Sequence, residues 1–427
     1  MRIDNVGLNF DIEPLRSAFG FKGGFLSELW QPIAKVENQS NVAVGVGVQS
    51  VLWSDSEIFR NAGQCAGNLY MMLGCEYGLK LLKGSDFKSP AEALLAIEDD
   101  VYAYLKKVTG HENLRKTFAL NSLVALDNAL WQLYAKENGT EDILKLVDDE
   151  TRKNLSSRYE KIYNIPLIGY GTSIEEIKRL ISEGYFLLKI KIGSDPDKDG
   201  SRDKMLEWDK NRLLEIHNIA KEYTTPYTDS GKILYYIDAN SRYDTKDRLF
   251  RLLDYADKIG ALDSIVIFEE PFEENMVVDL SDIPVRVTAD ESAHSLESAL
   301  ERIRMGYTAI AIKPIAKTVS ESLQIINVAA KYNIPCFCAD LTVNPYMVEI
   351  NKNIAARIKP FPGVKIAVFE TNGAQNYVNW EKMKSYHPMY GKAKFLNSDG
   401  CISELDDEFY RVSGGAFRTS EYYESRV

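Results

Sequence analysis

The stretch Phe186–Gly193, FLLKIKIG, decides the fold. Leu187, Leu188, Ile190 and Ile192 make it an apolar run of strand length, the pattern of a strand buried on both faces. Yet Lys189 and Lys191 stand inside it, two residues apart, and strand alternation turns both to one face. A strand with ammonium groups on one buried face needs an interior that uses them.

The same kind of run recurs along the chain. IPLIGYG (165–171), ILYYIDAN (233–240), SIVIFEEP (264–271), VRVTADES (285–292), TAIAIKP (308–314), IPCFCAD (334–340) and VKIAVFE (364–370) alternate with helical segments such as SIEEIKRLISEG and TKDRLFRLLDYADKIG. Eight strands with intervening helices make an α/β protein, either a (β/α)₈-type barrel or a doubly wound sheet. The polar residues favour the barrel. Lys191, Asp238, Asn240, Glu269, Glu270, Asp290, Glu291, Lys313, Asp340 and Glu370 all close their runs at the C-terminal end. Barrel active sites draw groups from several strand ends, whereas an open sheet gathers ligands at one switch point.

Outside this rhythm the chain reads differently. NVAVGVGVQSVLW reads as a strand in which Gly45 and Gly47 mark a tight approach or turn. Ser89 to Lys136 is helical, with Leu123, Leu126, Leu130 and Leu133 on one stripe and Gly139 as the C-terminal stop. The reading is an α+β capping domain over 1–155, the barrel over 156–390, and a 391–427 segment that returns to complete the cap.

With 427 residues, 45% hydrophobic and 26% charged, the composition is that of an ordinary globular protein. A formal net charge of −11 without a dense Lys/Arg cluster argues against nucleic acid as a partner. No run reaches the roughly 18–20 apolar residues of a membrane span, and MRIDNVGLNFDIEPL has no signal-peptide core, so a cytoplasmic location is expected. The five scattered cysteines read as reduced thiols, with CFC at 336–338 as two small buried thiols on one strand face.

Three successive strands end in acids: Asp238, Glu269 and Asp290. Each alone could be a helix N-cap. Together, on neighbouring strands about 4.8 Å apart, they converge and repel unless a cation sits among them. An oxygen-only set favours Mg²⁺ or Mn²⁺. Lys191 ends the second strand and Lys313 the sixth, facing each other across the barrel with the acidic strands between. A lysine beside a cation and another lysine has its ammonium disfavoured, which suits a general base.

In that order, KIK, DAN, EEP, ADES and IKP resemble the enolase superfamily, and most of all its muconate lactonizing enzyme subgroup, which includes dipeptide epimerases and o-succinylbenzoate synthases. NSLVALDNALWQLYAKENG is similar to a helix of that family's capping domain. The resemblance implies Mg²⁺ held by Asp238, Glu269 and Asp290, a substrate carboxylate on the ion, and an enediolate after loss of the α-proton. It implies Lys191 as the base, Lys189 as its neighbour on the carboxylate, and Lys313 acting from the opposite face. Opposed bases fit a racemase or epimerase of a small-molecule carboxylate. A lyase or cycloisomerase, such as an acid-sugar dehydratase or an o-succinylbenzoate synthase, would use the same half-reaction, and a binding protein on this fold is the non-enzymatic alternative. The family also implies symmetric homo-oligomers.

The specificity end departs from the dipeptide epimerase pattern. The Asp-x-Asp expected after the eighth strand is replaced by FETNGAQN, with Glu370 as partial substitute, and the seventh strand ends in CADLTVNP at Asp340. Asn240 joins these as a specificity candidate. The loops AFGFKGGFLSELW and VLWSDSE are expected to close over the substrate, with Phe19, Phe21 and Trp53 as pocket walls or, alternatively, plain cap core. DPDKDGSRDKMLE (195–207) starts like a calcium loop, but its twelfth position is Leu206, so it reads as a solvated acidic loop at the edge of an insertion with EYTTPYTDSGK on the surface.

Overall fold

The cap begins with a long antiparallel hairpin, β1 (Asn5–Phe21) and β2 (Gly24–Glu37), and β3 (Val42–Val46) adds to β2. The computed structural model describes the backbone of residues 1–427 and all side chains except those of 398 and 399. Lys22 (φ 48°) and Gly23 (φ 76°) form the two-residue turn, the left-handed pair that matches strand twist. The segment expected as a loop over the substrate is therefore the tip of a hairpin, set off by a break in register between Pro14 and Phe19.

The helix Lys116–Glu137 packs on this sheet and is buried on nearly every face, more than the single leucine stripe implied. Its polar residues have partners inside: Asn121 and Asn128 donate to the Val48 and Val46 carbonyls, both at 2.8 Å. Asp127 accepts from the Val319 and Ser320 N–H groups at 2.8 and 3.1 Å, so the cap's central helix satisfies the start of a barrel helix. Gly139 (φ 60°) ends it, with Thr140 N–H on the Ala135 carbonyl.

Gly45 is needed for this contact. A Cβ there would lie 2.2 Å from the Ala125 carbonyl oxygen and 2.2 Å from the Ala129 nitrogen, both backbone atoms that cannot turn away. Gly45→Val is expected to destabilise the protein by about 3 kcal/mol in urea melts, because strand and helix must separate. Val51–Ser54 is a helical turn rather than a continuation of the strand, and it delivers Trp53 to the barrel mouth.

The barrel strands are β4 (Lys161–Ile165), β5 (Leu167–Ile168), β6 (Leu187–Lys191), β7 (Leu234–Asp238), β8 (Ile265–Glu269), β9 (Val287–Ala289), β10 (Ala309–Ile312), β11 (Cys336–Cys338) and β12 (Ala367–Glu370). All neighbours from β5 round to β12 are parallel, and β12 pairs with β4. Pro166, which has no N–H to give, splits the first strand into β4 and β5. The two halves are one barrel position, so eight parallel strands close the ring. This first strand starts earlier than its apolar run predicts.

The end of the chain serves both domains. β13 (Ser398–Asp399) and β14 (Ile402–Glu404) form a hairpin that pairs antiparallel with β4. Arg426 and Tyr422 then bind Asp11 of β1, at 2.6 and 3.0 Å. The 195–207 loop is exposed, with Lys204 paired to Asp197 and Asp199, and Ser201 caps the following helix. EYTTPYTDSGK lies at the surface as expected, tethered where Asp229 N–H donates to the Gly363 carbonyl and Lys365 N–H to the Tyr227 carbonyl. Among the described residues no helix is long and apolar enough to cross a membrane.

His387 is buried, its Nδ1 accepting from Met389 N–H and its Nε2–H donating to the Gly414 carbonyl. Burial pushes its imidazole down to about 3. The folded value lies below the unfolded one of about 6.5, so its contribution is complete above pH 6.5 and is lost as pH falls towards 3. Stability is expected to drop by up to about 1.4 kcal/mol per pH unit in this window from this group. His387→Gln should flatten that part of the pH–stability curve.

Candidate active site

Strand register layers the site. Lys191 pairs with Asp238, Asp238 with Glu269, and Glu269 with Thr288, which places the three charged tips in one ring at the barrel mouth. Lys189 pairs with Tyr236 one layer deeper on the same face. Asn240 (φ 42°), Ser241 (φ 63°) and Glu270 (φ 41°) turn left-handed straight after β7 and β8, held by Ser241 N–H on the Glu270 carbonyl at 2.7 Å. Strained turns at strand ends of this kind are a mark of functional sites.

All twelve residues singled out in the sequence meet at one cavity. Lys189, Lys191, Asp238, Asn240, Glu269, Asp290, Lys313, Asp340 and Glu370 form its base and sides, and Phe19, Phe21 and Trp53 come from the cap. The free space is small, about 40 Å³. The hairpin tip is closed down: Lys22 reaches Glu291 at 2.7 Å and the Trp53 carbonyl at 3.3 Å.

The lysines neutralise the acids directly. Lys189 lies 3.0 Å from Asp238, 3.2 Å from Glu269 and 2.9 Å from Glu370. Lys191 binds Asp238 at 2.6 Å and Asn240 at 2.5 Å. Lys313 binds Asp290 at 2.5 Å and sits 4.6 Å from the centre of the Trp53 ring, while Trp53 Nε1 donates to the same carboxylate. Burial lowers the Lys189 and Lys313 ammonium groups, but the carboxylates around them outweigh it and hold both above the ordinary lysine value. The acids dominate until something else neutralises them. Asp238 is opposed by burial yet held down to about 2 by Lys189 and Lys191, and Glu269 is pushed up to about 7 by burial.

Three residues at the site were not singled out. Tyr236 hydroxyl donates to Glu269 and accepts from Lys189 at 2.8 Å. Lys317, fully buried, donates to the carbonyls of Asp290, Ala293 and Ala311 and lies 3.1 Å from Asp290 Oδ1. Lys22 reaches in from the hairpin. The signals were present: Tyr236 is two before Asp238 and Lys317 four after Lys313, so each shares a face with a predicted residue. Asp340 plays a more local part than expected. Its oxygens accept from the N–H groups of Asn372 at 2.8 Å and Val343 at 3.4 Å, pinning two loops.

Asp238, Glu269 and Asp290 could hold a divalent cation. They are fully buried and offer only oxygen, and Asp290 Oδ1 accepts no hydrogen bond, facing only the Lys317 ammonium at 3.1 Å. As the side chains stand, no cluster of three or more carboxylate, imidazole or thiol groups among the described residues is gathered for coordination. Their oxygens face ammonium groups instead. The donor chemistry fits a hard cation that takes over the charge the lysines now balance.

The family model described as Enolase C-terminal domain-like matches residues 172–364. No curated protein matches the chain. Among solved structures, a dipeptide epimerase from Enterococcus faecalis, complexed with Mg and L-Leu-L-Tyr, is 17% identical with a TM-score of 0.65, covering 95% of this chain and 98% of its own. The L-Ala-D/L-Glu epimerase from Bacillus subtilis is 16% identical with a TM-score of 0.63 over 95% and 97%. The N-succinyl Arg/Lys racemase from Bacillus cereus is 15% identical with a TM-score of 0.64 over 95% and 93%. The family model thus matches the chain from the helix after the first barrel strand to just before the last, and the likeness to these solved structures shows the same fold over nearly the whole chain.

Proposed function

We propose that this protein is an enzyme that removes the α-proton of a small carboxylate substrate and returns a proton from the opposite face, a racemase or epimerase. One observation carries the reading: Lys191 and Lys313, from the second and sixth barrel positions, line one cavity ringed by strand-end carboxylates. Its solved neighbours include epimerases and a racemase by name, which supports the reaction class.

Asp238, Glu269 and Asp290 are the residues that would hold Mg²⁺, or Mn²⁺ in its place. When bound, the ion supplies positive charge opposite the negative charge that develops on the substrate carboxylate. The chain's own residues do the rest. Lys189 orients the carboxylate from below, and Lys191 takes the proton on one face at Nζ. Lys313 Nζ delivers one on the other face. Phe21 and Trp53 lie over the Nζ atoms of Lys191 and Lys313, with ring centres 5.9 and 4.6 Å away, and Lys313 is buried beneath its ring.

The test is incubation in D₂O with Mg²⁺ and sets of dipeptides, N-substituted amino acids and sugar acids, followed by ¹H NMR. Deuterium at the α-carbon with inversion is the expected result. Exchange followed by loss of water would replace the epimerase by a lyase, and no exchange with any of them in metal-loaded protein would sink the reading.

A further inference from the structure

We propose that Tyr236 is a positioning residue for both Glu269 and Lys189: its hydroxyl holds Glu269 by one carboxylate oxygen, which leaves the other for a cation, and it remains a partner for Lys189 once that cation takes the acids. This rests on the metal reading above and deepens it.

Tyr236 lies one layer below the charged ring. It pairs with Lys189 on β6 and with Ile267 on β8. Glu269 stands two residues further along β8, a rise of about 6.6 Å that a tyrosine side chain spans. Tyr236, Glu269 and Lys189 are all buried, so each polar atom needs a protein partner. Chemistry fixes the direction of the bonds. An ammonium only donates, so the Tyr236 oxygen accepts from Lys189, at 2.8 Å. Its one hydrogen is left for Glu269 Oε2.

The two oxygens of Glu269 are thereby divided. Oε2 is bound to the phenol, while Oε1 faces Lys189 at 3.2 Å. Oε1 is therefore the oxygen that Glu269 gives to a cation without breaking the bond to Tyr236. Lys189 loses the claim of Asp238 and Glu269 in that exchange. It keeps two partners outside the donor set, Glu370 at 2.9 Å and the Tyr236 oxygen at 2.8 Å. These hold the ammonium on the cavity floor, where the proposed function has it meet the substrate carboxylate. Contacts that orient a metal ligand from behind are worth about 10–100-fold in metal affinity.

The experiment uses Tyr236→Phe, which removes the hydroxyl alone. The ring keeps its edge contact with Phe337, with centres 5.1 Å apart, and its place 4.5 Å from Lys189 Nζ. Tyr235→Phe is the control. Tyr235 points to the other face of the same strand, where its hydroxyl lies 2.8 Å from His217 Nδ1. Mg²⁺ and Mn²⁺ are titrated by calorimetry into metal-stripped wild type and both variants, with circular dichroism and the metal-free thermal midpoint read alongside. Tyr236→Phe is expected to bind either ion at least about tenfold more weakly, and Tyr235→Phe to bind as wild type does. At saturating metal the remaining loss of α-proton exchange in Tyr236→Phe is expected in KM, because the loosened group binds the substrate carboxylate. Unchanged metal affinity in Tyr236→Phe, even with a lower metal-free midpoint, would make the hydroxyl merely structural and overturn the inference. Equal weakening in both variants would overturn it too. Either result leaves the metal reading standing, whereas a wild type that binds neither ion overturns both together.

Discussion

Lys191→Ala and Lys313→Ala are each expected to abolish exchange of the α-proton from one stereoisomer, by roughly 10³-fold, while leaving exchange from the other in place. The magnitude is that of losing a positioned general base. The selectivity follows from the fold: the two lysines rise from opposite barrel positions, so each addresses one face of a planar intermediate. Each variant also controls for the other, since a misfolded protein would lose both reactions. Their carboxylate partners set a further condition. Asp290 holds Lys313 as an ammonium ion, so this lysine exchanges protons freely only when its carboxylate is neutralised otherwise. Equal loss for both stereoisomers, or full activity in both variants, would remove the lysines from the reaction.

Much of the site was legible because its spacing is enforced by strand geometry. Lys189 and Lys191, two apart, had to share a face, and acids closing consecutive parallel strands had to meet in one layer, as the pairing of Asp238 with Glu269 shows. The closed barrel was legible for the same reason. What escaped depended on partners far away in sequence. The helix Lys116–Glu137 looked amphipathic, yet its polar Asn121, Asp127 and Asn128 all turn inward, because β3 and a barrel helix supply their partners. Tyr236 read as core in an apolar run, since nothing local reveals that Glu269 and Lys189 would close on its hydroxyl. Lys22 read as a loop residue. Its role needs the hairpin turn that places it 2.7 Å from Glu291, a residue 269 positions later in the chain.

Mg²⁺ or Mn²⁺ is expected to raise the thermal midpoint and change the emission of Trp53, and EDTA to abolish α-proton exchange. Trp53 is the natural reporter because its Nε1 donates to Asp290 and its ring carries Lys313, so a cation that recruits Asp290 disturbs both contacts. A ligand that binds only the folded state at 100 times its Kd stabilises by about 2.7 kcal/mol, enough to read in a melt. Trp53→Phe should lose the spectral change and keep the rise in midpoint, which separates this tryptophan from the other four of the chain's five. Glu269→Gln should lose both, since it removes one charge from the donor set while keeping the shape of the side chain. The lysines make this a demanding test. They already balance the acids, so a cation gains only if its charge is worth more at that point than the ammonium contacts it displaces. Failure of the midpoint to move at millimolar Mg²⁺ or Mn²⁺, with exchange unaffected by EDTA, would mean that the contacts of Lys189 and Lys313 are the working state of these carboxylates, and the proton chemistry would have to run on ammonium charge alone.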